Sequence, residues 1–159
     1  MPANGNGRNV SRYRSQMRGA INRNTVASLA LERGYDVYLP VHAGGVDLVL
    51  LHRDSGKLIK VQLKGRWTIE RKYLGREIWI AFPIDGDWYL MEHDRMVELG
   101  DRQGYTRNPS WTEKGIWNIP SPSKAVRESC APYKFAPIDE VEEDAASAEE
   151  DAASAEQDA

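Results

Sequence analysis

The sequence predicts an α/β fold: an N-terminal helix packed on a mixed sheet of about five strands, followed by a disordered acidic tail. Three observations carry that prediction. Apolar residues recur at helical spacing up to Gly34, strand-like runs separated by glycine-containing turns follow it, and residues 138–159 hold ten acids and no base. At 159 residues, one domain with its own core is the natural size.

Residues 1–11 are rich in Asn, Gly and Arg and have little to bury, which predicts a flexible basic arm with order beginning near Ser11 or Tyr13. Over 12–33, Met17, Ala20, Ile21, Ala27 and Leu31 fall on one helical stripe, broadened by Val26, Leu29 and Ala30. Gly34 supplies the stop. Residues 35–40, 46–52 and 58–64 then read as strands, with turns at Ala43-Gly44-Gly45 and Asp54-Ser55-Gly56. The last two strands form a hairpin whose apolar runs are nearly continuous, as burial on both faces requires. Residues 77–83 and 88–92 make a second hairpin through Asp85-Gly86, and 94–100 a short helix capped by Asp94. The core thus spans 12–100. A C-terminal extension, 101–137, packs on it, and five prolines there argue for mostly irregular structure around a short helix at 123–130. The tail repeats EDAASAE at 143–149 and 150–156, with no large apolar residue after Val141, so burial cannot offset its ordering entropy.

Charge divides the chain. The net charge of −3 conceals a body, residues 1–137, of 21 bases against 14 acids, or +7. A body of that sign attracts polyanions, and Arg8, Arg12, Arg14, Arg18 and Arg23 concentrate the excess near the start. Cys130 is the single cysteine, and no paired Cys/His spacing suggests zinc; a reducing, cytoplasmic setting is the expectation. The first residues are basic but no apolar stretch follows, and nowhere do 18 apolar residues run together, so neither a secretory signal nor a membrane span is expected.

Chemistry concentrates in the first hairpin. Asp47 stands in Gly45-Val46-Asp47-Leu48-Val49, and Gln62-Leu63-Lys64 lies on the partner strand. Alternate strand residues share a face, so Gln62 and Lys64 point the same way, and antiparallel pairing brings Asp47 beside them. Other readings stay open: Asp47 as a turn-end carboxylate binding N–H groups near Gly44-Gly45, and Gln62 and Lys64 as the plain alternation of an edge strand.

In the order helix, GY-V--P, VDLVLL, then VQLK, the chain resembles the PD-(D/E)XK nuclease superfamily, of restriction-endonuclease-like fold. In pattern it is similar to group I intron-associated homing endonucleases, which carry a Gln at the motif's second acid, and to archaeal Holliday-junction resolvases. EIWIAFP followed by DWYLME resembles the strand pair that comes after the Lys in the intron-encoded group. The likeness covers about half of the chain, residues 17–99. It implies a DNA endonuclease that hydrolyses phosphodiester bonds with Mg²⁺ or Mn²⁺, in which Asp47, Gln62 and Lys64 are catalytic. Asp47, the Gln62 amide oxygen and the Leu63 carbonyl would ligate the ion, and Lys64 would steady charge at phosphorus. Duplex or branched DNA is the implied partner, and a homodimer would allow both strands to be cut.

The resemblance also exposes a departure. Such nucleases usually place a Glu on the first helix about three turns before its terminal Gly, and here that position falls at or near Arg23, between Asn22 and Asn24. Glu32, Glu70 and Glu77 are the acids available to replace it. Arg12, Arg14, Arg18, Arg23 and Arg66 are the candidate phosphate contacts, or else a solvated face. Tyr73, Trp67, Trp79 and Trp88 are candidates for base stacking, though strand tryptophans are more often core. Two other function classes remain: a catalytically inactive nucleic-acid-binding module on the same fold, and a protein-interaction adaptor recruited through the acidic tail.

Overall fold

A computed structural model describes residues 6–42 and 44–138, with only the backbone of residues 6–9. Residues 1–5 of the expected arm, and the acidic tail from Asp139 onward, lie outside the described residues.

The chain opens with α1, Asn6–Glu32, which begins inside the stretch expected to be a flexible arm. At 27 residues it is about 40 Å long. Only its C-terminal half packs on the body, through Val26, Ala30 and the partly buried Leu29. The expected stripe packs along its broadened edge, Val26, Leu29 and Ala30, and not along its centre. Val26 and Ala30 are fully buried, whereas Met17, Ile21 and Leu31 remain about half exposed, together with Val10 and Tyr13. Gly34, at φ +83°, ends the helix by turning left-handed.

The strands β1 (Tyr35–Tyr38), β2 (Leu48–His52), β3 (Leu58–Leu63), β5 (Ile78–Ile84) and β6 (Asp87–Glu92) form one sheet in the order β1-β2-β3-β5-β6. All pairings are antiparallel except β3 with β5. The sheet is therefore mixed and five-stranded. Both hairpins form as the turn residues direct: Asp85 and Gly86 take φ of 51° and 89°, the two positive values that a two-residue hairpin turn demands.

Strand alternation sorts side chains to two sides. Leu48, Leu50, Ile59, Val61 and Ala81 pack with Val26 and Ala30 of α1. Ile78, Ile80, Phe82 and Ile84 pack with Trp67, Ile69, Met96, Trp111, Val126 and Cys130. The second core draws on the expected helices near 94–100 and 123–130 and also on elements that the periodicity did not reveal. The strand β4 (Trp67–Glu70) lies between β3 and β5 in sequence and pairs with β7 (Ile116–Ile119) as a separate two-stranded sheet. Two short helices, α3 (Pro109–Thr112) and α4 (Lys124–Cys130), flank β7. The extension is thus more regular than its prolines suggested: Pro109 opens α3 and Pro132 a 3₁₀ turn, positions where the missing N–H costs nothing.

The helix α2 runs over His93–Arg102, not from an Asp94 cap. Asp94 sits inside its first turn, and its carboxylate instead accepts the Gly75 N–H at 3.2 and 3.1 Å. Trp67, Tyr73 and Trp88 are buried in the core, so base stacking is left without them, and Trp79 is covered on one face by the Lys57 ammonium at 4.8 Å. Burial pushes the Cys130 thiol up to about 11.

Candidate active site

The loop before β2 turns at Gly45, φ +87°, where an added Cβ would meet Tyr73 at 3.3 Å. Two residues on, Asp47 is clipped to β3 twice. Its N–H donates to the Val61 carbonyl at 2.8 Å, and its Oδ2 accepts the Leu63 N–H at 2.8 Å. The carboxylate thus bonds across the hairpin rather than back to Gly44-Gly45. An apolar residue here would leave the Leu63 N–H without the bond that fixes the start of β2 against the end of β3.

Asp47, Leu63 and Lys64 line one cleft of about 370 Å³, closed on its other side by Gln16, Gly19, Ala20, Asn22 and Arg23 of α1. Three of the sequence-predicted site residues therefore meet, and Arg23 meets them. Gln62 does not line the cleft. Its Nε2 donates to the Leu63 carbonyl at 3.4 Å, and its Oε1 is buried without a partner. Arg66 lies outside, its guanidinium 3.5 Å from Asn118 Oδ1. Arg12, Arg14 and Arg18 are exposed on the N-terminal half of α1, the latter two beside a shallow groove with Tyr13, Met17 and Ile21.

Of the three acids available to replace the missing one, Glu70 is the one in contact with the site. Glu77 lines a cleft at the far end of β3, and Glu32 is exposed at the end of α1. Glu70 closes β4, almost buried, with one carboxylate oxygen on the Lys64 ammonium and the other 2.6 Å from that of Lys72. Burial pushes its pKa up, but the two ammonium groups together outweigh burial and hold the carboxyl below its ordinary range. The backbone at Glu70 is fixed in turn by fully buried His93, whose Nε2 accepts the Glu70 N–H at 3.0 Å. An accepting Nε2 puts the proton of the neutral ring on Nδ1, which faces Asp94 Oδ1 at 3.4 Å. Burial lowers the pKa of His93, opposed in part by Asp94. From sequence, Arg66, Trp67, Glu70 and Tyr73 are named but no element is assigned to residues 65–76, although the β-branched and aromatic run Trp67-Thr68-Ile69 is a strand signal.

The donor chemistry suits a small, hard cation in part. One carboxylate, that of Asp47, lines the cleft, and the unpartnered Gln62 amide oxygen lies beside it on β3 without lining it; both are oxygen donors of the kind that Mg²⁺ or Mn²⁺ takes, with water and substrate completing the shell. Among the described residues no group of three or more His, Cys, Asp or Glu is placed to hold a metal by itself, and Arg23 and Lys64 bring positive charge to the same cleft. No helix of the described residues is long and apolar enough to cross a membrane.

No family model matches the chain, and no curated protein matches it. Among solved structures, it is similar to that of a bacterial homing endonuclease, I-Ssp6803I, with a TM-score of 0.48 and 17% identity, over 76% of this chain and 88% of that one.

Proposed function

We propose that the chain is a metal-dependent DNA endonuclease that hydrolyses phosphodiester bonds in the cleft where β3 ends. One observation carries the reading. The Leu63 N–H holds Oδ2 of Asp47, the one carboxylate among the described cleft-lining residues, beside Lys64, while the neighbouring Gln62 Oε1 is buried with no bond at all. Proteins seldom bury an acceptor unmet, and Gln62 Oε1 is the one buried side-chain oxygen so left among the described residues. Asp47 would hold the ion from the cleft wall, and Gln62, which does not line the cleft, would have to turn its amide oxygen toward it to join. When bound, it supplies Lewis acidity at phosphorus and a more acidic water. Lys64 places a positive charge where negative charge grows on the phosphoryl oxygens, and Arg12, Arg14, Arg18, Arg23 and Arg66 contact the DNA backbone. Because cutting both strands of a duplex needs two centres, a homodimer is part of the proposal. The test is cleavage of duplex, branched and single-stranded DNA by the purified chain with Mg²⁺ or Mn²⁺ against EDTA. Metal-dependent products on any of the three support the reading, and none on all three ends it.

A second reading is favoured by Arg23 and by the commitment of both Glu70 oxygens to lysines, which together leave the cleft one carboxylate against two cations. On that reading the fold binds nucleic acid without cutting it. Binding would then weaken steeply with salt, require no metal and survive Asp47→Ala.

A further inference from the structure

Lys64 does not stand alone on its side of the sheet. Its ammonium and that of Lys72 occupy the two oxygens of the single Glu70 carboxylate, and both lie over the ring of Tyr73, at 5.4 and 4.9 Å. The cluster is rigid at its base: Glu70 and Tyr73 are buried, and His93 bonds the Glu70 backbone. Its charge does not balance, because one carboxylate neutralises only one of two ammonium groups. The surplus is at Lys72, whose side chain is 63% exposed, whereas that of Lys64 is 19% exposed. An ion pair so exposed contributes little to stability, and Lys64 already satisfies Glu70. Two ammonium groups ordered by one carboxylate and one aromatic face are instead preorganised donors: each keeps N–H bonds to give, and neither has to be gathered from solvent when an anion arrives.

Resting on the proposed nuclease reading, we infer that Lys72 is a second phosphate-binding ammonium of the Lys64 site, held there by Glu70 and Tyr73, and that its ligand is a phosphate of the nucleic-acid backbone. Glu70 is then a positioning residue. Its oxygens set where both ammonium groups sit, and it touches no substrate. This also explains why an acid in contact with the site does not replace the carboxylate missing at Arg23: its lone pairs are spent on the two lysines.

The experiment is equilibrium binding of the full chain to a labelled 20-base-pair DNA duplex in EDTA, by fluorescence anisotropy, between 50 and 200 mM salt. A matching RNA duplex shows whether the shared phosphate chemistry or the sugar decides. Lys72→Ala is expected to weaken binding roughly threefold or more near 100 mM salt and to flatten the log–log salt slope by about 0.9, the share of one phosphate contact. Lys72→Arg should restore both. Lys124→Ala, which removes another exposed lysine in an ion pair, should change neither. Lys72→Ala indistinguishable from wild type, or matched by Lys124→Ala, overturns the inference. A wild-type chain that binds neither duplex overturns the functional reading beneath it, a different outcome. Lys72 is at the surface, so its variants are expected to fold, and a thermal melt verifies this.

Discussion

Two clefts of equal volume, about 370 Å³ each, open at opposite ends of β3, and both are lined by charged residues. At the starting end, Lys57, Lys60, Glu77, Glu92 and Asp94 gather beside Trp79. There three of the polar groups are engaged: the Lys60 ammonium donates to the Arg76 carbonyl at 2.8 Å, Lys57 caps the Trp79 ring, and Asp94 takes the Gly75 N–H. At the finishing end, Asp47 is half engaged, Gln62 Oε1 is unmet, and Arg23 faces Lys64 across the gap. Charge and concavity are common to both ends. The difference is a buried acceptor left unmet, Gln62 Oε1, which stands beside the finishing end alone.

The largest expected effect follows from that contrast. Lys64→Ala should lower the single-turnover cleavage rate by about 10²- to 10³-fold, the usual cost of one aligned electrostatic group. Lys60→Ala, four residues back on β3, should leave it within about twofold, since that ammonium serves a backbone carbonyl. Equal losses would erase the distinction between the two ends.

Much of this contrast could be read in the sequence, and the unread part has a physical reason. Alternation and turn chemistry marked the strands around Asp47, Gln62 and Lys64 because each is a local run beside a glycine turn. The strands β4 and β7 escaped because they are four residues each and pair across about 50 residues of chain, so no window holds both. With them went the placing of Glu70, named in the sequence only as one of three available acids, because its partners come from the end of β3, from the turn after β4 and from α2. The buried edge of α1 escaped for a related reason. Periodicity finds a stripe but cannot say which part of it meets the sheet, and the small pair Val26 and Ala30 allows closer approach than Met17 or Ile21 would.

The next effect tests the support beneath Glu70. His93→Leu should destabilise the fold by about 1–3 kcal/mol, since it leaves the buried Glu70 N–H without an acceptor. It should also change the response to acid. Burial depresses the folded pKa of His93 below 6.5, so the unfolded chain takes up the proton first. The contribution of the neutral ring is complete above that value and is lost as pH falls through it toward the folded pKa. Glu70, also depressed, adds a second loss only below about 4.5, its ordinary value. Urea midpoints at pH 7.5, 6 and 5 should fall for the wild type and stay flatter in His93→Leu.

A smaller effect would sharpen the account of the missing acid. Arg23→Glu replaces a cation of the cleft with a carboxylate, and Mn²⁺ affinity by calorimetry should rise about tenfold as one repulsion becomes one attraction. Unchanged affinity would mean that the α1 wall does not face the ion. The smallest effect is on Gln62→Leu. Removing an unsatisfied buried acceptor should leave stability unchanged or raise it by about 1 kcal/mol, while metal-dependent cleavage declines. A clear loss of stability would show instead that the amide is structural.

Asp47→Asn tests the central claim most directly. The amide oxygen can still accept the Leu63 N–H, so the hairpin clip survives while the negative charge is lost. Nicking of supercoiled DNA in Mg²⁺ is predicted for the wild type and should vanish in Asp47→Asn while the melting temperature falls by only a few degrees, the difference between a charge-assisted and a neutral bond. Nicking that persists at the wild-type rate in this variant would contradict the assignment of the cleft as a phosphodiesterase centre.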